Sequence, residues 1–440
     1  MIPRRALAVL ILFLAMLAPA GAAGVKSLSA VNGAQVWFAE DHTVPMIALV
    51  ASFPAGSAYD PSTKAGMASF AAALMNEGAG NLDSQGFQSA LADHAIQLSA
   101  QADRDTTTIT LYALSSDAKE AFRLLALALS RPRFDAGAVT RVRLQLLSAI
   151  DEDSADPATV ANKSFFSFYF GSHAYGHPVE GDTRPLASIS AVELKSFAHS
   201  HWVRTGLKIA LAGDLSPSSA TSLLHSAFGP LPAGQPAPPP APSRVGAPGL
   251  HVLPMGEPQA VAVFGLPGLL RSDPDFLAAS IANYILGGGS ASRLTEEIRE
   301  KHGLTYDVST QLVPMSRAGL WLGQVATRRE AMRETLSLVR ETLRKFAAEG
   351  PTRQELDDAK TYLSGSFPLG FSSNAGIASQ LNTFQLLGLP IDYLQKRNDL
   401  IDAVTIEDVR RAARRLFDPS KLTIVVAGTL PAVKGEGGNE

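Results

Sequence analysis

The stretch SAVELKSFAHSHWVRTGLKIALAGDL, residues 190–215, returns without a gap as TIEDVRRAARRLFDPSKLTIVVAGTL, residues 405–430, at a constant offset of 215. Each copy opens with the pattern of a capping box, Ser190-x-x-Glu193 and Thr405-x-x-Asp408, with Asp the weaker partner at that place. A predicted helix follows (Leu194 to His201, Val409 to Leu416), then an aromatic residue, Trp202 or Phe417. A buried strand comes next (Leu207 to Leu211, Leu422 to Val426), closing on Ala-Gly at 212–213 and 427–428. Six of the 26 positions are identical. The shared order of cap, helix, aromatic, strand and Ala-Gly carries the inference more than the identities do: the chain holds a duplicated domain.

Between the copies, residues 229–249 contain Pro230, Pro232, Pro236, Pro238, Pro239, Pro240, Pro242 and Pro248 with a single charge at Arg244. Such a run neither continues a helix nor donates to a central strand, so it reads as a semi-rigid linker. The expected organisation is a signal peptide over 1–23, a first domain over 24–228, the linker over 229–249, a second domain over 250–432 and a tail over 433–440. Two cores of this size suit a chain of 440 residues. Motion between the halves and preferential proteolysis in the linker are expected from it.

In the first half, Ala34 to Glu40 and Met46 to Phe53 read as strands, and Ile96 to Leu114 is a long alternating stretch rich in threonine and β-branched residues. Helical patterns follow at Ala118 to Leu129 and Ala136 to Glu152. The second half predicts strands near Ala260 to Leu266, Tyr306 to Val313 and Gly319 to Ala326, with helices at Phe276 to Leu286, Arg329 to Ala348 and Arg353 to Ser364. Strands grouped between paired helices predict an α+β fold of two duplicated domains, each a mainly antiparallel sheet covered by helices.

A hydrophobic share of 46%, a charged share of 18% and a net charge of -3 exclude a disordered chain and an electrostatic grip on nucleic acid. Arg4 and Arg5, the apolar run Ala6 to Leu17 and the small residues Ala20 to Ala23 predict a cleaved secretory signal. An apolar run of about 12 residues is short of the ~20 that span a bilayer, so no membrane span is expected after cleavage. Absence of cysteine leaves no disulfide and no thiolate ligand, and export without disulfides points to a bacterial periplasm.

None of the nine histidines stands in H-E-x-x-H or H-x-x-E-H, the spacings that set two imidazoles one helical turn apart beside a carboxylate. His173 and His177 have the spacing, but Gly171, Gly176 and Pro178 argue against a helix there. A nucleophile elbow and a phosphate loop are both missing. Gly287, Gly288 and Gly289 could let a substrate backbone approach closely, although a break between two helices explains them as well.

From Asn32 the chain reads NGAQVWFAEDHTVP, then Ala55-Gly56-Ser57 and Gly66-Met67-Ala68; in the second half it reads GGGSASRL from Gly287 and IREKHGLTY from Ile298, then GLPIDYL from Gly388 and Ala403-Val404-Thr405. These segments resemble the pitrilysin/insulinase-type zinc metallopeptidases, and the likeness spans nearly the whole chain after the signal. In that family the helix after the opening carries H-x-x-E-H. The matching positions here are Ser69 and Ala73 for the histidines and Ala72 for the glutamate, and the third ligand would fall at Ser148 or Ala149, ahead of Asp156-Pro157. A hydroxyl and methyl groups hold no zinc.

The resemblance therefore implies a chain without a cofactor of its own. It would be a non-catalytic subunit, inactive alone, that encloses peptides together with an H-x-x-E-H homologue carrying the zinc, as in bacterial and mitochondrial processing peptidase heterodimers. It also implies a transition-state role in trans for Arg299 and Tyr306, the pair that in relatives faces the zinc from the second half. From the residues alone, the preferred reading is Arg299 as a solvated helix charge and Tyr306 as a strand residue on the core. A structural or scaffold protein on a silent peptidase fold is the alternative.

Overall fold

The computed structural model describes residues 24–235, 238, 240, 241, 246 and 248–430. The expected signal peptide and the tail beyond residue 430 lie outside the described residues, as do eight positions of the Pro-rich stretch. The strands are β1 (Lys26–Ser27), β2 (Gln35–Glu40), β3 (Met46–Phe53), β4 (Gln97–Ala102), β5 (Thr107–Leu114), β6 (Lys208–Gly213), β7 (Gly249–Leu253), β8 (Gln259–Pro267), β9 (Val308–Pro314), β10 (Gly319–Arg328) and β11 (Thr423–Ala427). The first-half helices are α1 (Met67–Ala73), α2 (Ser84–Asp93), α3 (Ala118–Ser130), α4 (Ala136–Asp153), α5 (Pro157–Phe170), α6 (Thr183–Ala187), α7 (Ala191–His201) and α8 (Pro217–Phe228). In the second half they are α9 (Phe276–Asn283), α10 (Met332–Glu349), α11 (Arg353–Ser366), α12 (Asn374–Leu386), α13 (Tyr393–Asp402) and α14 (Ile406–Leu416). No helix among the described residues is long and apolar enough to cross a membrane.

Two sheets form, in the orders β1-β2-β6-β3-β5-β4 and β7-β11-β8-β10-β9. Apart from the extra edge strand β1 the orders are the same, and in each only one pair, β2–β6 or β7–β11, is parallel. Both repeat helices start with the full capping box, Asp408 closing its box as completely as Glu193. Gly213 and Gly428 both hold a positive φ, +135° and +139°, with no room for a side chain, a Cβ at Gly213 lying 2.2 Å from the Met46 carbonyl oxygen. The duplication thus extends to sheet order and backbone conformation.

Each sheet is buried on both faces, which is why its central strands read as nearly continuous apolar runs. Val36, Phe38, Ile47 and Leu49 face a core built with the first half's own helices, while Trp37, Ala39, Ala48, Val50, Ala210 and Ala212 face α12 of the second half. Reciprocally, Ala260, Ala262, Phe264 and Trp321 face the second half's helices, whereas Val261, Val263, Leu322, Val425 and Ala427 face α5 of the first half. Each half covers the other's sheet. This exchange ties together halves that a linker alone would leave free to move.

Beyond shifts of a few residues at helix and strand ends, two elements differ from the sequence reading. The stretch 96–114 is a hairpin, because the Asp103 carboxylate accepts from the N–H of Asp105 and Thr106 and from the Thr106 hydroxyl, turning the chain. Strand β9 begins at Val308 and leaves Tyr306 outside it.

Candidate functional site

Helix α1 is set by Asp60, whose carboxylate accepts from the N–H groups of Gly66, Met67 and Ala68 at 2.7, 3.1 and 2.8 Å. Burial pushes the Asp60 carboxyl up to about 7 against the pull of those three donors. The helix it caps is mostly interior: Met67, Ala68, Phe70, Ala71 and Ala72 are all buried. Ser69, its one polar side chain, donates to the Val179 carbonyl at 2.7 Å. Ala73 is half-buried and presents a methyl.

Helix α4 packs beside α1, yet Ser148 and Ala149 lie on its exposed face, the Ser148 hydroxyl being 3.2 Å from Glu152 Oε1 on the next turn. What joins the two regions is Arg141 of α4, paired with Glu77 just beyond α1. These residues do not fit a zinc ion. The hydroxyl is committed to a carbonyl, two of the positions are methyls, and the second helix turns its small side chains to solvent.

In the second half, Gly287 is buried within a wide helical turn over Tyr284–Gly288, and a Cβ there would lie 2.6 Å from Thr310 Oγ1. At Gly288 it would meet Asn283 Nδ2 at 2.7 Å and at Gly289 the Tyr284 ring at 2.9 Å. The space these glycines leave is filled by the chain's own side chains, so they serve close packing of this turn on β9.

Arg299 lies in the wide helical turns Thr295–Lys301, exposed, its Nε 3.4 Å from Glu300 Oε1. Gly303, with φ +62°, ends those turns: its N–H donates to the Arg299 carbonyl at 3.0 Å and the Leu304 N–H to Ile298 at 3.0 Å. The buried Thr305 hydroxyl then lies 2.7 Å from the carbonyls of both Asp307 and Ala326 and accepts from the Asp307 N–H at 3.1 Å. Thr327 on β10 donates to the Leu304 carbonyl. A segment fastened on both sides therefore carries Tyr306, which is 93% exposed.

Arg299 and Tyr306 line one cleft of about 740 Å³, together with Gln259, Glu300 and Arg328. Tyr306 is thus not a core strand residue, and a guanidinium and a phenol are presented to the same space. Thr305 and Thr327, the fasteners, were not singled out by the sequence; a threonine flanking each strand end carries no signal of its own.

Residues 35–183 match the family model described as insulinase (peptidase family M16), and residues 188–363 match the peptidase M16 inactive domain. A crystal structure described as a peptidase M16 inactive domain from Pseudomonas fluorescens is similar at a TM-score of 0.88 and 31% identity, over 93% of this chain and 99% of that one. A Helicobacter pylori protein named non-peptidase homolog YmxG is 28% identical over 89% of this chain and 91% of its own length. The mitochondrial-processing peptidase subunit beta of Blastocladiella emersonii is 24% identical over 85% of this chain and 82% of its own length.

Proposed function

The chain belongs to the insulinase (M16) peptidase family, and from that premise we propose that it is the exported, non-catalytic subunit of a heterodimeric zinc metallopeptidase. The partner is an H-x-x-E-H homologue that holds the zinc; this chain binds none and contributes peptide-binding surface with Arg299 and Tyr306. The observation that carries the reading is Tyr306, held out of the fold on its threonine-fastened segment beside Arg299. Arginine is a permanent cation with several donors, and a phenol donates to the oxyanion that forms when water attacks a peptide carbonyl. The names of two relatives, one a non-peptidase homologue and one a subunit of a processing peptidase, support a peptidase fold kept for partnership. Its place is the periplasm, from the charge and apolar pattern of residues 1–23.

The test is to combine the chain with the product of an H-x-x-E-H homologue from the same organism and follow cleavage of a fluorogenic peptide. Arg299→Ala and Tyr306→Phe should leave the complex assembled and zinc-loaded while lowering kcat by roughly 10²- to 10³-fold, the usual loss for one oxyanion donor. If both variants assemble and cleave at the parent rate, the in-trans role is wrong. Turnover by the isolated, metal-loaded chain would overturn the non-catalytic reading.

A further inference from the structure

A second cleft, about 680 Å³, opens between the halves on the far side of the β4–β5 turn and is unrelated to the Arg299–Tyr306 cleft. Three cations line it, Arg104, Lys208 and Arg271. Each is held by neutral groups. Arg104 Nε donates to the Tyr175 carbonyl at 3.2 Å while its guanidinium lies 3.4 Å from the centre of the Phe166 ring. Lys208 Nζ donates to Gln35 Oε1 at 2.9 Å. Arg271 Nη2 donates to the Tyr393 hydroxyl at 3.1 Å and the guanidinium stacks over Phe276.

Among the described residues none of the three forms an ion pair, whereas Arg133, Arg141, Arg293, Arg411 and Arg415 all do. The two carboxylates at the cleft are occupied. Asp103 accepts the three donors of its own turn, and Asp105 accepts from the Tyr175 hydroxyl and from the N–H and hydroxyl of Ser316. Burial draws Arg104 down to about 10, against the opposing pull of the Glu180, Asp103 and Asp105 carboxylates, none of which pairs with it directly, and burial lowers Lys208 as well. An anion entering the cleft would offset the cost of that burial. The rest of the wall mixes hydroxyls, Ser52, Ser272 and Thr383 among them, with an apolar part made by Met315 and by Leu270 and Leu386, which stay 43% and 42% exposed.

We propose that this cleft binds an amphipathic carboxylate, its head set among Arg104, Lys208 and Arg271 and its apolar body on Leu270, Met315 and Leu386. A peptide C-terminus and a fatty acid share this chemistry.

Calorimetric titration of the mature chain with N-acetyl-trileucine, its C-terminal amide and octanoate tests the proposal. The free-acid peptide or octanoate should bind saturably, the amide at least about 10-fold more weakly, and Lys208→Met and Arg271→Gln should each weaken the acid by roughly 10- to 100-fold, as expected for loss of one charge-assisted bond. Binding of the peptide alone identifies a peptide C-terminus as the ligand class; binding of octanoate alone identifies a fatty acid. Far-ultraviolet circular dichroism checks that both variants remain folded. No saturable heat up to about 10 mM of either acid, equal affinity for acid and amide, or unchanged affinity in both variants would overturn the proposal.

Discussion

Helices α5 and α12 occupy equivalent seats, each on the sheet of the opposite half, and the two seats are made of different chemistry. Helix α5 is seated by rings: Phe165 stacks on Tyr169 at 5.3 Å and Phe166 on Phe170 at 5.9 Å, against Val261, Val263, Leu322 and Val425. Helix α12 adds amides to its apolar contacts Ala378, Leu381 and Phe384. Asn374 donates to the Met46 carbonyl, Asn382 to Lys208, and Gln385 to both Gln35 and Ile209, while Asn382 accepts from the Ser52 hydroxyl. The strand faces explain the choice. Ala39, Ala48, Ala210 and Ala212, beside Trp37 and Val50, leave strand carbonyls of the first sheet within reach of short amides on the helix. On the second sheet the facing residues Val261, Val263, Leu322 and Val425 carry larger side chains, and rings of α5 pack on them.

The largest expected effect separates the seats directly. Phe165→Ala should cost about 3–5 kcal/mol of unfolding free energy in a denaturant titration, the range for deleting a buried ring. Its fit is specific, for a Cβ on Gly265 would lie 2.5 Å from Phe165 Cζ. Gly265→Ala should therefore cost about 1–3 kcal/mol by overpacking, and less in a Phe165→Leu background. Additive effects would show that the ring does not seat on Gly265.

On the amide side, Asn382→Ala should cost about 1–3 kcal/mol, because Ser52 loses its acceptor and the Lys208 carbonyl a donor in a buried place. A loss larger than that of Phe165→Ala would reverse the ranking. Gln385→Met should change stability by less than about 1 kcal/mol, since Gln385 Oε1 is buried without a hydrogen-bond partner and its removal relieves an unsatisfied group while its shape is kept. A loss well above that would mean that the bonds to Gln35 and Ile209 outweigh the orphaned oxygen.

This exchange of helices marks where the sequence stopped being legible. Within each half the periodicity sufficed: Met46 to Phe53 is a strand with the predicted ends, and Ala118 to Leu129 and Ala136 to Glu152 are helices extended by one residue. The paired capping boxes located both repeat helices because their bonds are local. Which sheet a helix covers is set by contacts hundreds of residues apart, such as Asn382 with Ser52, and no local pattern encodes it. The candidate site divides in the same way. Ser69, Ala72 and Ala73 could be read as unable to hold a metal from residue types alone, and Gly303 as the stop before Tyr306. The exposure of Tyr306 could not be read, because it depends on Thr305 reaching the Ala326 carbonyl across the chain.

The smallest expected effect is the most discriminating for the exchange itself. A protease site placed between Pro238 and Ala241 and cleaved in the folded protein removes the only covalent tie between the halves. If the linker were that tie in the physical sense, the fragments would separate, as domains with a small polar interface do. Here separation would strip α5 from Val261, Val263 and Val425, strip α12 from Ala48, Val50 and Ala210, and break the bonds of Asp105 to Ser316 where the two hairpin turns meet. Two buried apolar faces would be opened at once, at about 25 cal/mol for each Å² exposed. The nicked chain should therefore elute from size exclusion at the position of the intact protein, and its denaturation midpoint should lie below that of the intact chain and fall further on dilution, since the halves are then held by association instead of by a bond. Fragments that part at micromolar concentration under native conditions would show that the two seats are weaker than their burial implies, and with them the difference between rings and amides would lose its meaning for stability.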